Sequence, residues 1–163
     1  MHAESRVETL IRLLGLTPHP EGGFYREVFR SAHTVAPADG RPLRQALTAI
    51  YFLLAAGQHS RWHRVGSDET WTHLEGGPLE LLCVDAALSR PRRVLLGPAG
   101  PGVAPLHAVP AGAWQAARTL GAYTLAACHV GPGFTFEDFQ MAGNDAPARE
   151  AIRALGAECG SLL

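Results

Sequence analysis

The chain has 163 residues, 47% of them hydrophobic, which is enough for one core and too short for two comfortable ones. Its 14 basic and 15 acidic side chains give a formal net charge of -1 and are scattered, so neither nucleic acid nor an anionic membrane surface is an expected partner. Every basic residue is Arg, and a chain without Lys cannot run Schiff-base chemistry through a lysine amine.

The N-terminus carries no basic segment followed by an apolar run, and the longest apolar stretch, 49–57, is far below the roughly 20 residues needed to cross a bilayer. A soluble, cytoplasmic, single-domain protein over 1–163 is the expectation. Cys83, Cys128 and Cys159 are odd in number and far apart, and read as reduced packing residues. Val7, Leu10, Ile11 and Leu14 recur at helical spacing behind a Ser5/Glu8 capping box, predicting a helix over 5–14 ended by Gly15. Thr17 to Gly23 is too rich in Pro and Gly to be anything but a loop, either a lid or only the turn into the first strand.

From Phe24 onward the pattern is that of strands, over 24–30 and then about 43–55, 61–65, 69–74, 79–85, 92–96, 106–110, 113–118 and 122–130, separated by Gly, Pro and Asp. Many short strands predict a mainly β jelly-roll barrel, with its core at about 20–140. Residues 134–141 read as extended. Asp145 caps a final helix over 146–155, with Gly156 as terminator.

The segment GQHSRWHRVGSDETWTHLEGG at 57–77 holds the densest set of chemical groups. Strand alternation puts His63 on one face with Val65, and Glu69 on one face with Trp71 and His73. Gly57, His63, Glu69 and Gly76 fall in register with the first motif of the cupin superfamily, with Val65 where its second His would stand. Pro110-Ala-Gly112-Ala-Trp-Gln115 resembles the second motif, with Gln115 in place of its His, Thr119 in place of its Asn and Ala104 in place of its opening Gly. Together with PHPEGGFYRE, SRWHRVGSDETW, PLELL, VPAGAWQAAR and PGFTFEDF, the chain resembles the small cupin-5 family, a domain of unknown function similar in structure to deoxysugar epimerases.

That resemblance implies a jelly-roll barrel (a double-stranded β-helix) with a short helix at each end of the chain. It also implies a small-molecule ligand in a lumen lined by His63, Glu69, Trp71 and Gln115. Intact cupins hold a metal at four positions. Two are altered here, so no cofactor is expected, and a metal would have only His63, Glu69 and Gln115, with His59 or His73 as substitutes. The epimerase likeness implies His63 as general base with Glu69 as partner or second acid, the neighbouring carboxylate raising the His pKa. Tyr25, Tyr51 and Tyr123 are the available phenols. Tyr25, Arg26, Trp71, His73 and Gln115 are the expected ligand-binding residues. Arg26 could grip an anionic group, and Trp71 or Trp114 could stack on a ring, whereas Arg64 should point away from His63. Small cupins commonly pair, so a homodimer is expected, through the first helix or strand 43–55. Three functions stay open, with the first leading: a metal-independent isomerase or epimerase of a sugar-like carbonyl compound, a metal-dependent enzyme, and a non-catalytic binding protein with His63 and Glu69 as a structural pair.

Overall fold

The computed structural model describes residues 4–163. Ser5 and Glu8 cap helix α1 (Arg6–Leu14) reciprocally, and Gly15 closes it in the left-handed conformation at φ 61°. The chain then forms β1 (Thr17–Pro18), β2 (Phe24–Arg30), β3 (Thr34–Val35), β4 (Arg44–Gln45) and β5 (Thr48–Ala55). The motif-bearing strands follow as β6 (His59–Val65), β7 (Asp68–Gly76), β8 (Leu79–Val84) and β9 (Arg92–Leu96). After β10 (Val103–Ala104) and β11 (Leu106–Val109) come β12 (Trp114–Thr119), β13 (Tyr123–Gly131) and β14 (Phe139–Met141). Helices α2 (Ala146–Ala154) and α3 (Ala157–Gly160) complete the fold.

Two six-stranded sheets make a jelly roll, in the orders β1-β2-β5-β13-β7-β11 and β10-β9-β8-β12-β6-β14. Their inner faces share one apolar cluster, to which Phe52, Leu54 and Trp71 come from the first sheet and Leu79, Leu81 and Ala117 from the second. Leu53 and Leu125 instead face outward against Leu10 and Leu16. β5 is therefore covered on both sides, and its sequence reads as a continuous apolar run rather than an alternation. On the outside of the second sheet, α2 and α3 cover Trp62, Leu82 and Trp114, and the Trp62 indole N–H donates to the Cys159 carbonyl at 2.8 Å.

Some expectations are corrected. The strand expected over 43–55 is broken at Ala46–Leu47, whose backbone groups bond to His33 and Ser31, so that β4 pairs with β3 and only β5 enters the main sheet. Residues 134–141 are not extended throughout. A 3-10 turn at Phe136–Asp138 intervenes, held because the Asp138 carboxylate receives Arg41 at 2.7 Å and Arg44 at 2.8 Å. The apolar face of α1 is already packed against Leu53 and Leu125, so it is not the free surface expected for pairing of two chains. Among the described residues, no helix is long and apolar enough to cross a membrane.

Candidate functional site

Between the sheets lies a cavity of about 510 Å³, walled by β2, β5, β6, β7 and β13 and roofed by residues 134–139. The loop expected over 17–23 begins with β1 and then dives inward. Its Gly22 N–H donates to the His19 carbonyl and its Glu21 carbonyl accepts from Arg61 of β6 at 2.8 Å. Gly22 has φ 116° and Gly23 φ 70°; a Cβ on the first would run into the His59 carbonyl, and one on the second would stand 2.6 Å from the Leu53 carbonyl. Only glycine fits this approach. It delivers the Glu21 and His19 side chains into the lumen beside β6.

Glu21 is the centre of the polar cluster. Its Oε2 stands 3.2 Å from His63 Nε2 and 3.6 Å from His19 Nδ1, and its Oε1 accepts the Ser60 hydroxyl at 2.8 Å. His63 Nδ1 lies 2.8 Å from the Arg61 carbonyl, which can only accept, so that nitrogen carries the ring proton and Nε2 is free to accept one. Burial pushes the Glu21 carboxyl up to about 8, against the Ser60 hydrogen bond and the Arg61 charge. Burial likewise lowers His63, against the pull of Glu69, and lowers His19 to about 4 with help from His63. At neutral pH the arrangement is a carboxylic acid donating to a neutral imidazole. The His63 pKa is thus lowered rather than raised as expected, because desolvation outweighs the nearby carboxyl.

Glu69 was expected to partner His63, but its hydrogen-bond partner is Gln115, whose side-chain NH2 donates to Glu69 Oε2. The Gln115 oxygen accepts the Trp71 indole N–H at 2.9 Å. Burial raises Glu69 to about 7, opposed by His63 and reinforced by Glu21. Both polar atoms of Gln115 are occupied, and the side chain sits behind the cavity wall, not on it.

The donors do not fit a metal of the intact cupin kind. Val65 has no ligating atom, Gln115 has no free one, and His63 Nε2 faces Glu21. Among the described residues no three His, Cys, Asp or Glu side chains converge as a metal site.

Of the expected site residues, His63, Glu69, Trp71, Tyr25 and Arg26 border the cavity. His73 does not. It shares a face with Glu69 and Trp71 but lies toward the far end of β7, where its Nε2 stands 3.3 and 3.2 Å from the carbonyls of Gly76 and Gly77. Tyr51 and Tyr123 face α1, and the Tyr123 hydroxyl donates to Glu75 at 2.7 Å. Trp114 is buried under α2, so it cannot stack on a ligand, and Arg64 lies over its ring and bonds Gln140, pointing away from His63. Glu21, His19 and the rings of Phe134, Phe136 and Phe139 were not anticipated. Their signals were the paired glycines after Glu21 and the aromatic spacing in PGFTFEDF.

The Cupin_5 family, described as "Cupin superfamily (DUF985)", matches residues 8–142. The chain is similar to a hypothetical protein from Leishmania major, at 38% identity over 82% of this chain and 85% of that one, with a TM-score of 0.75. It is similar also to a Shewanella oneidensis protein, at 30% identity over 98% and 95% of the two chains, with a TM-score of 0.81. An oxalate decarboxylase variant from Bacillus subtilis shares the fold at 20% identity and a TM-score of 0.56, over 84% of this chain and 33% of its own. No functionally curated protein matches the chain.

Proposed function

Because the chain belongs to the Cupin_5 family of the cupin superfamily, we propose that it binds a small carbonyl compound of sugar-like size in its lumen and isomerises or epimerises it by metal-independent proton transfer. The observation that carries this reading is the 3.2 Å contact of Glu21 with His63 on the wall of a 510 Å³ cavity that also exposes Glu69. Buried groups held near neutrality are the requirement for moving protons at neutral pH. Glu69, at about 7, is partly ionised and can take a proton from the carbon beside the carbonyl. The Glu21–His63 pair holds a proton that can be shared with the carbonyl oxygen as the enediol forms. Returning a proton to the neighbouring carbon isomerises the compound, and returning it to the opposite face of the same carbon epimerises it. No oxidant or cofactor enters the balance. The division of roles modifies the expected one, with Glu69 as base and Glu21–His63 as acid.

The test is proton NMR in deuterated water, following loss of the carbon-bound proton of a candidate hydroxy-ketone such as dihydroxyacetone or 2-hydroxyacetophenone. Candidates are to be extended by mass spectrometry of any small molecule that co-purifies. Exchange above the buffer rate that disappears in Glu69→Gln and in Glu21→Gln supports the reading. Exchange unaffected by either substitution rejects it.

A further inference from the structure

The wall of the cavity is unequal in its chemistry. At one end are Glu21, Glu69, His19 and His63. At the roof, Phe134, Phe136 and Phe139 form a triangle of rings with centroids 5.1, 6.0 and 6.1 Å apart, each pair steeply inclined. Phe139 continues onto the His63 ring at 5.4 Å and an interplanar angle of 32°, so the aromatic surface runs without a break to the polar cluster. Rings set edge to face around a space leave faces and edges for one more flat ring.

Charge decides what else such a ligand can carry. The four basic side chains bordering the cavity are His19, His63, Arg26 and Arg30. Arg30 is engaged with both Glu27 oxygens at 2.8 and 2.7 Å, with Gln45 and with the Phe134 carbonyl. Arg26 is exposed and has no carboxylate partner, and its guanidinium donates to the Leu14 carbonyl at the end of α1 at 3.1 Å. Both imidazoles are turned toward Glu21, and burial keeps them uncharged. An anion brought to this end would meet the partly ionised Glu69 beside a Glu21–His63 pair that carries no positive charge, and the one guanidinium on the wall without a carboxylate partner, Arg26, is turned to the Leu14 carbonyl, an unfavourable placement in a medium of low polarity.

We infer that the cavity selects an uncharged carbonyl compound bearing a flat unsaturated ring, the ring against Phe134, Phe136 and Phe139 and the carbonyl at the Glu21–His63–Glu69 end. The inference rests on the lumen being the binding site of the proposed function, and it narrows the substrate class from sugar-like compounds in general to ring-bearing hydroxy-ketones or hydroxy-aldehydes. Phosphorylated sugars and keto acids are disfavoured by the partial negative charge of Glu69 and by uncharged imidazoles at that end.

Titration calorimetry on the whole chain tests it with four probes: 2-hydroxyacetophenone, which has the ring and no charge; phenylpyruvate, with the ring and a carboxylate; glucose 6-phosphate; and dihydroxyacetone, which has neither ring nor charge. The expected result is binding of 2-hydroxyacetophenone at least tenfold tighter than of the other three. Phe136 is 55% exposed, so Phe136→Ala should fold normally. It should weaken 2-hydroxyacetophenone by roughly fivefold and leave dihydroxyacetone unchanged, with Phe136→Tyr restoring affinity. Phenylpyruvate or glucose 6-phosphate binding as tightly as 2-hydroxyacetophenone overturns the inference, as does failure of 2-hydroxyacetophenone to bind or indifference of its affinity to Phe136→Ala. Selective binding of 2-hydroxyacetophenone without exchange of its carbon-bound proton would reject the catalytic reading and leave this one standing; exchange on glucose 6-phosphate would do the reverse.

Discussion

Glu21 and His63 meet at 3.2 Å, although one lies in a Pro/Gly loop near the start of the chain and the other on an inner strand of the opposite sheet. Ser60 on one side and the Arg61 carbonyl on the other leave each group a single remaining orientation toward its partner.

Replacing Glu21 by Gln keeps the shape and both hydrogen bonds, because the amide can donate to His63 Nε2 while its oxygen accepts from Ser60. Glu21→Gln should therefore melt within a few degrees of the parent yet lose roughly 10²–10⁴-fold in proton-exchange rate. His63→Asn should lose a similar factor. If His63→Asn instead melts far earlier and exchanges at the parent rate, the pair is structural.

Thermal stability should fall as pH rises from about 6.5 to about 8. Glu21 and Glu69 hold their protons to about 8 and about 7 when folded, against about 4.3 for an unfolded Glu, so the native state binds more protons than the unfolded chain across that range. Their contribution is complete below the unfolded value and is lost as pH rises through the folded ones. His19 acts oppositely: held near 4 when folded against about 6.5 unfolded, it lowers stability as pH drops through that window, so only above about 6.5 do the carboxyls act unopposed. Melting curves between pH 5 and 9 check this, and Glu21→Gln and Glu69→Gln should each flatten the alkaline decline. A decline of equal slope in both variants would refute the assignment.

Restoring the two altered motif positions should create a metal site. The double variant Val65→His, Gln115→His places two imidazoles beside His63 and Glu69, and dialysis against zinc should then leave about one ion per chain, lost again on adding His63→Ala. The parent, purified without added ions, should hold far less than one transition metal per chain by elemental analysis. One ion per parent chain, lost with His63, would overturn this.

A dimer remains the expectation, through a surface other than α1, whose apolar face is already packed. β1 pairs only with Phe24 and Tyr25, so the rest of β2 is an open edge that includes Val28 and Phe29, 45% and 51% exposed. Light scattering at micromolar concentration should give the mass of two chains. A particle of 17.4 kDa, the mass of one, would contradict it.

Local patterns were enough for the helix at 6–14, whose caps and periodicity lie within ten residues, and for most of the longer strands, whose punctuation is local too, but not for the two-residue strands β1, β3 and β10 or the break that separates β4 from β5. The motif register likewise identified His63, Glu69 and Trp71 as neighbours, because strand alternation and pairing carry that information in sequence spacing. The alternation that linked His73 to them could not report depth along the barrel, and His73 lies too far along β7 to reach the cavity. Nor could spacing reveal that Gly22 and Gly23 press a loop against the His59 and Leu53 carbonyls and so deliver Glu21 to His63, since that contact joins segments with no periodic relation. The pKa directions were equally out of reach. A carboxyl beside an imidazole in solution raises the His pKa, and only enclosure between two sheets makes desolvation the larger effect, leaving Glu21 protonated and His63 neutral.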